Sequence, residues 1–392
     1  MPSQPFTALA RVIEDVVEPG ATEVDASGVF PRKQVDALAR AGLLALTVPA
    51  GFGGAGGGLS EAAAVIRELG AVCGSTAMVV TMHYAATAAL VACAAGEPED
   101  AAAARESLAA IGAGRHLSTL AFSETGSRSH FWAPLGTAVS ENAVAEPGGT
   151  VRLDASKSWV TSAGHADSYV WSSRPLDAAG PMTLWLVPAG AAGLSVSGTF
   201  DGLGLRGNAS APMTADGLRV PRSAMLGADG GGLDLAMAAV LPVFLICSAA
   251  MSAGLLRRVA DETAAHIQRT QLRHLDQSLA QQVQPRAQLA RLRIEADRTW
   301  ALIGDALTAV EQGRADAQLL VLEVKAAAGE AAADAADLAL RACGGAAFRK
   351  ESVVERLFRD SRAARVMAPT TDALHDFIGR ALCGLPLLGD VA

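Results

Sequence analysis

Apolar residues in the first 117 positions recur at the spacing of three and four that is typical of amphipathic helices. Val35 and Leu38 follow this spacing behind Pro31, a residue suited to the first turn of a helix. After a glycine-rich loop, Ser60 is predicted to cap a further helix. The pattern predicts an all-α N-terminal domain over residues 1–117.

The pattern changes at residue 118, where apolar residues form short β-prone runs separated by glycine, proline and aspartate. Regular spacing of such runs predicts an antiparallel β-barrel or sandwich, which we assign to residues 118–228. The predicted strands lie at Ser118–Phe122, Thr150–Leu153, Ser168–Ser172, Met182–Val187, Leu194–Val196 and Leu218–Val220.

Helical spacing returns over residues 229–392 and predicts an antiparallel four-helix bundle with a short last helix. Leu235–Leu256 carries no charge and is long enough to cross a bilayer. Because this run contains Pro242 and many small residues, we predict a helix buried at the centre of the bundle. The fold class is therefore α+β multidomain. The other predicted helices are Val283–Gln312, Asp316–Ala342 and one around Asp372–Cys383.

Composition and net charge limit the classes of partner that the protein is expected to bind. Of 392 residues, 51% are hydrophobic and 4% aromatic, which suits a large core of closely packed helices. The net charge is −8 and no Lys/Arg-rich stripe occurs, so neither nucleic acid nor a membrane is expected as a partner. The five cysteines are far apart, and no basic segment precedes an apolar run at the N-terminus. We expect reduced cysteines, no signal peptide and a cytoplasmic location.

Two segments of the middle region carry side chains suited to a planar aromatic cofactor. Residues 121–129 read Ala-Phe-Ser-Glu-Thr-Gly-Ser-Arg-Ser, and residues 157–163 read Lys-Ser-Trp-Val-Thr-Ser-Ala. The indole of Trp159 can pack on a planar ring. Thr161, two residues along a strand, would present its hydroxyl to the same face and could donate to a ring nitrogen. The structural alternative is a Trp that fills the core beside an ordinary strand Thr.

These segments resemble the flavin loop Thr-Glu-Pro-Gly-Ala-Gly-Ser-Asp and the hairpin Gly-x-Lys-x-Trp-Ile-Thr-Asn of the acyl-CoA dehydrogenase superfamily. The resemblance implies a flavin, FAD with FMN as the alternative, whose electronics are tuned by hydrogen bonds from the protein. It implies that Trp159 lies against the flavin and that Thr161 bonds the N5 region. Ser123 and Ser129 would reach the ring edge, with Phe122 beside them.

The C-terminal region carries a second resemblance. Gly344-Gly345-Ala-Ala-Phe, followed by Val-Val-Glu-Arg-Leu-Phe-Arg-Asp, is similar to the superfamily's Gln-x-x-Gly-Gly-x-Gly-Tyr and Pro-Val-Glu-Arg-x-x-Arg-Asp. The resemblance implies that Gly344 and Gly345 approach the cofactor pyrophosphate of a neighbouring subunit, in a homodimer or homotetramer. The plain alternative is a helix C-cap. Arg341 replaces the usual Gln, and Arg269 or Arg273 would substitute for a missing Arg-to-Phe-Gly diphosphate element.

The superfamily's usual catalytic Glu is missing. Counted from Asp360, its position falls on Ala368, or on Pro369 with a slip of one residue. The predicted helix over residues 235–256, where some branches place the base, has no Asp or Glu. Loss of a positioned base costs a factor of roughly 10²–10⁴ in rate. Related monooxygenases lack this Glu and use histidines, so His375 and His83 are the catalytic candidates, Thr370 is a cofactor-binding candidate and Asp372 is predicted to be an N-cap.

Three functions remain open at this point. The first is a flavin oxidoreductase that acts on an acyl thioester or similar ligand, with an electron-transferring flavoprotein as its partner. The second is a two-component monooxygenase of the same fold, supplied by a separate flavin reductase. The third is a non-catalytic partner subunit of an active paralogue.

Overall fold

The computed structural model describes residues 4–96, 101–127, 130–141 and 149–388. The N-terminal part is helical, as predicted, and α5 is almost completely buried because its sequence is apolar on all sides. A π-helical turn, Ile13–Val17, joins the first two helices. The helices are α1 (Gln4–Val12), α2 (Glu18–Ser27), α3 (Arg32–Arg40), α4 (Leu59–Gly70), α5 (Gly74–Ala94) and α6 (Ala102–Gly112).

The predicted cap of α4 is wrong. The helix begins at Leu59 with Gly58 as its N-cap, and the Glu61 carboxylate accepts a hydrogen bond from the Gly58 amide at 2.9 Å. Ser60 lies inside the first turn and donates to Glu311 on a later helix. The acidic residue of the first turn therefore satisfies the free amide that we assigned to a serine.

The described residues of the middle part form two four-stranded sheets, in the orders β1-β4-β5-β8 and β2-β3-β7-β6. Every pair is antiparallel except β1 with β4, which is parallel and corrects the fully antiparallel prediction. Strands β2 and β8 were not predicted. The strands are β1 (Ser118–Ala121), β2 (Thr137–Ser140), β3 (Thr150–Val160), β4 (Ser168–Ser173), β5 (Thr183–Pro188), β6 (Leu194–Val196), β7 (Ala211–Pro221) and β8 (Met225–Leu226).

The C-terminal part is a helical bundle built around α8. The chain enters it through α7 (Gly232–Leu235) and a π-helical turn (Ala236–Val240) that runs directly into α8 (Leu241–Arg269). A small hairpin, β9 (Gln271–Leu272) with β10 (Gln277–Ser278), follows α8. The remaining helices are α9 (Val283–Gln312), α10 (Ala317–Cys343), α11 (Val353–Ser361), α12 (Ala363–Val366) and α13 (Thr371–Leu382).

Helix α8 packs against both the bundle and the N-terminal helices. Glycines bring α4 and α8 together: a Cβ at Gly254 would lie 2.0 Å from the Arg67 carbonyl oxygen, and one at Gly70 would lie 2.6 Å from that of Met251. Only glycine permits this approach. The first and last parts of the chain therefore share one core.

A partly buried ion-pair group also joins distant parts of the chain. The Arg359 guanidinium on α11 donates to both oxygens of Asp25 on α2, at 2.8 and 2.5 Å, and to Glu355 at 2.6 Å. The neighbouring Asp360 is buried and accepts from the Leu205 amide at 2.7 Å. Burial raises the pKa of Asp360 to about 6. These contacts connect α2, α11 and the loop before β7.

Two helical stretches, Gly74–Ala94 and Gly232–Arg269, are long and apolar enough to cross a membrane by length and composition. Most of each apolar window is buried inside the protein, 72% and 61% respectively. Core helices of water-exposed proteins pass the same test, so these stretches are weak evidence for a membrane span. Their burial agrees with the predicted central helix.

Candidate active site

A cleft of about 80 Å³ lies where the middle strands meet the first turns of the bundle. Its β side consists of Leu120 on β1, Phe122 and Ser123 just after it, and Ser158 and Trp159 near the end of β3. The helical side consists of Met82 on α5, Ala236 and Val240 of the π-helical turn, and Leu241 and Phe244 of α8. Phe131, Ala368 and Pro369 complete the wall. The cleft is predominantly apolar.

A buried ion pair holds the β side of the cleft in place. Lys157 Nζ donates to Glu124 Oε1 at 2.6 Å and to Ser172 Oγ at 2.8 Å, and Glu124 accepts the Leu135 and Gly136 amides at 2.5 and 3.0 Å. Burial lowers the pKa of Lys157 to about 8, although Glu124 opposes that shift. This pair fixes the loop after β1 against β3.

Trp159 has an uncommon backbone conformation. Its φ is +57°, in the left-handed region, and 69% of the residue is exposed although it sits within β3. The ring meets Phe200 edge-on, with centroids 6.4 Å apart. Strain of this kind concentrates at functional sites. The alternative of a core-filling indole is therefore wrong for Trp159.

The predicted pairing of Trp159 with Thr161 on one strand face is also wrong. The left-handed residue interrupts the alternation of an extended strand, so Thr161 is turned inward and is only 4% exposed. Its Oγ1 lies 3.0 Å from Ser210 Oγ, and Thr161 does not line the cleft. The serines that do line the cleft are Ser123 and Ser158, and the Ser158 amide donates to the Ser123 carbonyl at 2.9 Å.

Ala368 and Pro369 lie at the wall of the cleft, and within the described part of the chain no ionisable side chain lines it. The first helix of the bundle begins at Gly232, three residues earlier than Leu235, and so includes Asp234. This corrects the prediction of a helix without acidic residues. Asp234 is exposed and does not line the cleft.

Lys325 holds the chain segment that forms the Ala368–Pro369 wall of the cleft. This buried lysine on α10 donates to the carbonyl oxygens of Ala364, Met367 and Pro369 at 3.1, 2.9 and 2.6 Å. Burial lowers its pKa to about 7. Sequence reasoning missed this residue because a single Lys in a helix usually lies on a solvated face; its position among apolar neighbours was the available signal.

The two candidate catalytic histidines do not line the cleft. His83 is fully buried on α5: its Nδ1 accepts the Ser118 amide at 3.1 Å, and its Nε2 donates to the Leu44 carbonyl at 3.0 Å. Burial lowers its pKa to about 4, so the ring is neutral and serves as a structural bridge. His375 is exposed on α13. Neither histidine is placed to move a proton in the cleft.

The predicted phosphate-binding residues lie on the surface of the bundle. Arg269 and Arg273 are exposed at the end of α8 and in the following hairpin, and Arg341 pairs with Asp337 at 3.1 Å. Gly344 ends α10 with a φ of +63°, as the C-cap alternative requires, and nothing lies within 4 Å of a Cβ at Gly344 or Gly345. A close approach by a cofactor there would have to come from outside this protomer.

The last two predicted cofactor-binding residues are Thr370 and Ser129. Thr370, and not Asp372, is the N-cap of α13, and its Oγ1 accepts from the Ala373 amide at 3.3 Å. Ser129 lies outside the described residues. Sequence reasoning also missed Ser158, which is adjacent to the motif Trp.

The residues at the cleft fit a planar aromatic cofactor. An exposed, conformationally strained indole stands beside an apolar cleft, and two serine hydroxyls are available at its edge. Trp159 would pack on the ring, and Ser123 and Ser158 would hydrogen-bond its polar atoms. Such a ring, when bound, would supply the redox chemistry that side chains lack.

Comparison with known proteins agrees with this geometry. The sequence matches the families described as acyl-CoA dehydrogenase N-terminal domain over residues 6–109, middle domain over 119–218 and C-terminal domain over 230–383. A relative, the probable acyl-CoA dehydrogenase YngJ of Bacillus subtilis, is 24% identical over 369 residues, 93% of each chain.

Solved structures show the same fold. Butyryl-CoA dehydrogenase from Megasphaera elsdenii superposes with a TM-score of 0.88 at 20% identity, over 98% of this chain and 99% of that one. KijD3, solved with FMN and a dTDP-linked amino sugar, gives 0.84 at 22% identity, over 98% and 95%. The chain therefore belongs to the acyl-CoA dehydrogenase superfamily of flavoprotein oxidoreductases.

Proposed function

We propose that this protein is a flavin-dependent oxidoreductase that acts on an acyl thioester or a similar ligand through a non-standard active site. The observation that carries the proposal is the cleft itself. Trp159, Ser123 and Ser158 line the same cleft as Ala368 and Pro369, the two positions at which the superfamily resemblance leads us to expect a carboxylate. These residues support binding of a planar ring, and no ionisable side chain lines the described cleft beside them.

The cleft residues have limited chemical capacity of their own. Ser123 and Ser158 can orient a ligand or cofactor by hydrogen bonds, and the apolar helical side excludes water from the bound group. With no ionisable group at the described wall, abstraction of a proton would fall to solvent or to the ligand itself. We therefore expect slow dehydrogenation of ordinary acyl-CoA substrates.

A gain-of-function substitution tests this account. Ala368→Glu places a carboxylate at the wall and should raise the rate at which anaerobic butanoyl-CoA bleaches the flavin by roughly 10²-fold or more. Ala368→Gln, of the same shape and without basicity, is the matched control and should give no increase. Pro369→Glu tests the register that is shifted by one residue. Fast bleaching by the unmodified protein, lowered by Ala368→Glu, would contradict the proposal.

The second candidate is a two-component monooxygenase that receives reduced flavin from a separate reductase. The absence of an ionisable side chain from the described lining of the cleft favours it. Stopped-flow mixing of the reduced protein with oxygen distinguishes the two. The monooxygenase should pass through a transient absorbing species before the oxidised spectrum returns, whereas an oxidoreductase without oxygen chemistry should show none.

The resemblance to the superfamily also supports proposals for the cofactor, the oligomeric state and the cellular location. We propose FAD, with FMN as the alternative, in a cytoplasmic homodimer or homotetramer. A visible spectrum of the purified protein, followed by mass spectrometry of the released cofactor, decides between the two flavins. A colourless protein that copurifies in a stable hetero-oligomer would favour a non-catalytic partner subunit instead.

A further inference from the structure

The segment 130–136, between β1 and β2, brings one wall residue of the cleft close to the last helix of the bundle. Phe131 lines the cleft, whereas its neighbour Trp132 is not among the described residues that line it. Both residues are buried. Connecting segments usually run over the surface, so a buried indole in such a segment needs a packing partner.

The packing partner of Trp132 is α13. The indole meets the ring of Phe377 edge-on, with centroids 5.5 Å apart, and it meets the ring of Phe131 edge-on at 5.2 Å. His130 covers another edge of the indole at 4.9 Å. Phe377 is itself buried. Edge-to-face contacts at these distances are favourable beyond the burial of their area. Trp132 therefore joins a residue of the cleft to α13.

The far end of the segment is held by a different contact. The Glu124 carboxylate, paired with Lys157, accepts the amides of Leu135 and Gly136. These hydrogen bonds act at positions 135 and 136 and do not reach the aromatic residues. The side chain of Phe131 therefore depends on the ring contacts of Trp132 for its place.

Helix α13 is a firm support for these contacts because its start is fixed to the bundle. It packs on α10, and Lys325 of α10 donates to the Pro369 carbonyl at 2.6 Å, two residues before α13 begins. Pro369 lines the cleft. Helix α13 thus connects two parts of the cleft wall, Pro369 through the chain and Phe131 through Trp132.

We propose that Trp132 and Phe377 are positioning residues that form an aromatic clamp between the 130–136 segment and α13, and so hold Phe131 where a planar ring in the cleft requires it. The inference rests on the proposed function in taking that ring to be a flavin. Without the clamp, Phe131 samples other positions, and the apparent dissociation constant rises as the competent fraction of molecules falls.

Titration of the flavin-free protein with FAD tests the proposal. Trp132→Ala and Phe377→Ala should each raise the dissociation constant of FAD about fivefold, the size expected for one aromatic pair. The double variant should bind within about twofold of either single variant, because both substitutions remove the same contact. Trp132→Phe keeps a ring against Phe377 and should restore most of the affinity.

The matched control for lost stability is Leu292→Ala. Leu292 is buried on α9, in a separate core cluster that α9 shares with α8 and α10. Its truncation removes buried apolar surface without touching the clamp, so the dissociation constant of FAD should stay within about twofold of the original value.

Hydrogen exchange of the flavin-free protein gives a second readout that needs no cofactor. Phe377→Ala leaves the sequence of the 130–136 segment unchanged, so faster exchange there reports the lost contact. The amides of a peptide that covers this segment should exchange about tenfold faster, whereas those of β5 should keep their rates.

The two measurements separate this inference from the proposed function. A protein that binds FAD equally well in all variants, or whose single effects multiply in the double variant, keeps the flavin function and loses the clamp. A protein that binds no FAD but shows the faster exchange keeps the clamp and loses the proposed cofactor. An equal loss of FAD affinity in Leu292→Ala would show that only stability had changed and would overturn the proposal.

Discussion

At the scale of single residues, local strain and buried charge determine how the cleft is built. Trp159 is held at a positive φ near the end of β3, and the ion pair between Lys157 and Glu124 fixes the loop after β1 against this strand. The hairpin motif was recognisable in the sequence. The inward turn of Thr161 was not, because an alternating strand pattern contains no sign of one left-handed residue.

We predict that Trp159→Gly separates flavin binding from stability. A left-handed conformation costs a non-glycine residue about 1 kcal/mol or more, and the indole is mostly exposed, so glycine relieves strain and loses little burial. Flavin affinity should fall at least tenfold while the free energy of unfolding of the flavin-free protein stays equal or rises. Trp159→Ala, which keeps the strain, should bind flavin as poorly and be less stable than the glycine variant.

Flavin absorbance and urea unfolding measure the two quantities. Full flavin content in both variants would remove Trp159 from the cofactor site.

His83 should make stability depend on pH. Its pKa is about 4 in the folded state and about 6.5 when unfolded, so the unfolded chain binds its proton first as the pH falls. The stabilisation is complete above pH 6.5 and is lost as the pH falls towards 4, by about 3 kcal/mol. Urea unfolding at pH 7 and pH 4.5 gives the difference in the free energy of unfolding between the two pH values. In His83→Gln, the part of this difference that comes from the histidine should disappear. The exposed control His375→Gln should keep it.

At the scale of elements, the spacing of apolar residues was sufficient to predict the long helices but not to predict how each helix begins. The predicted Val283–Gln312 helix matches α9, because its heptad-like apolar stripe and the left-handed Gly313 mark both the face and the end. The cap of α4 and the π-helical turn before α8 could not be predicted, since both depend on which backbone groups find partners after packing.

The hydrogen bonds from Lys325 on α10 to the segment that carries Ala368 and Pro369 should contribute to stability. Lys325→Met leaves buried carbonyl oxygens without a donor and should lower the free energy of unfolding by about 3 kcal/mol. Because burial lowers the pKa to about 7, the unfolded chain holds more protons between pH 7 and 10.5, and stability should rise with pH over that window.

Urea unfolding at pH 7 and pH 9 measures the slope, which Lys325→Met should reduce. Lys350→Met, at an exposed lysine, is the control. An unchanged slope in Lys325→Met would show that the ammonium does not titrate there.

At the scale of the whole molecule, the order of helices, β sheets and helices followed from the change of apolar period at residue 118 and its return in the bundle. The segments 121–129 and 157–163 led to the correct superfamily, and Phe122, Ser123 and Trp159 of these segments line the cleft. The position of Leu241 in the wall of the cleft was beyond sequence reasoning, because it depends on how the first turn of the bundle meets the middle strands.

The pairing of Asp25 with Arg359 has a consequence for biosynthesis. The two partners lie 334 residues apart in the sequence, so translation makes the Asp25 carboxylate well before its guanidinium partner. If α4 and α5 fold before α8 is made, they expose the surfaces that α8 covers in the finished protein. We expect a chain stalled before Arg359 to lack this ion pair and to be more prone to aggregation than the finished protein.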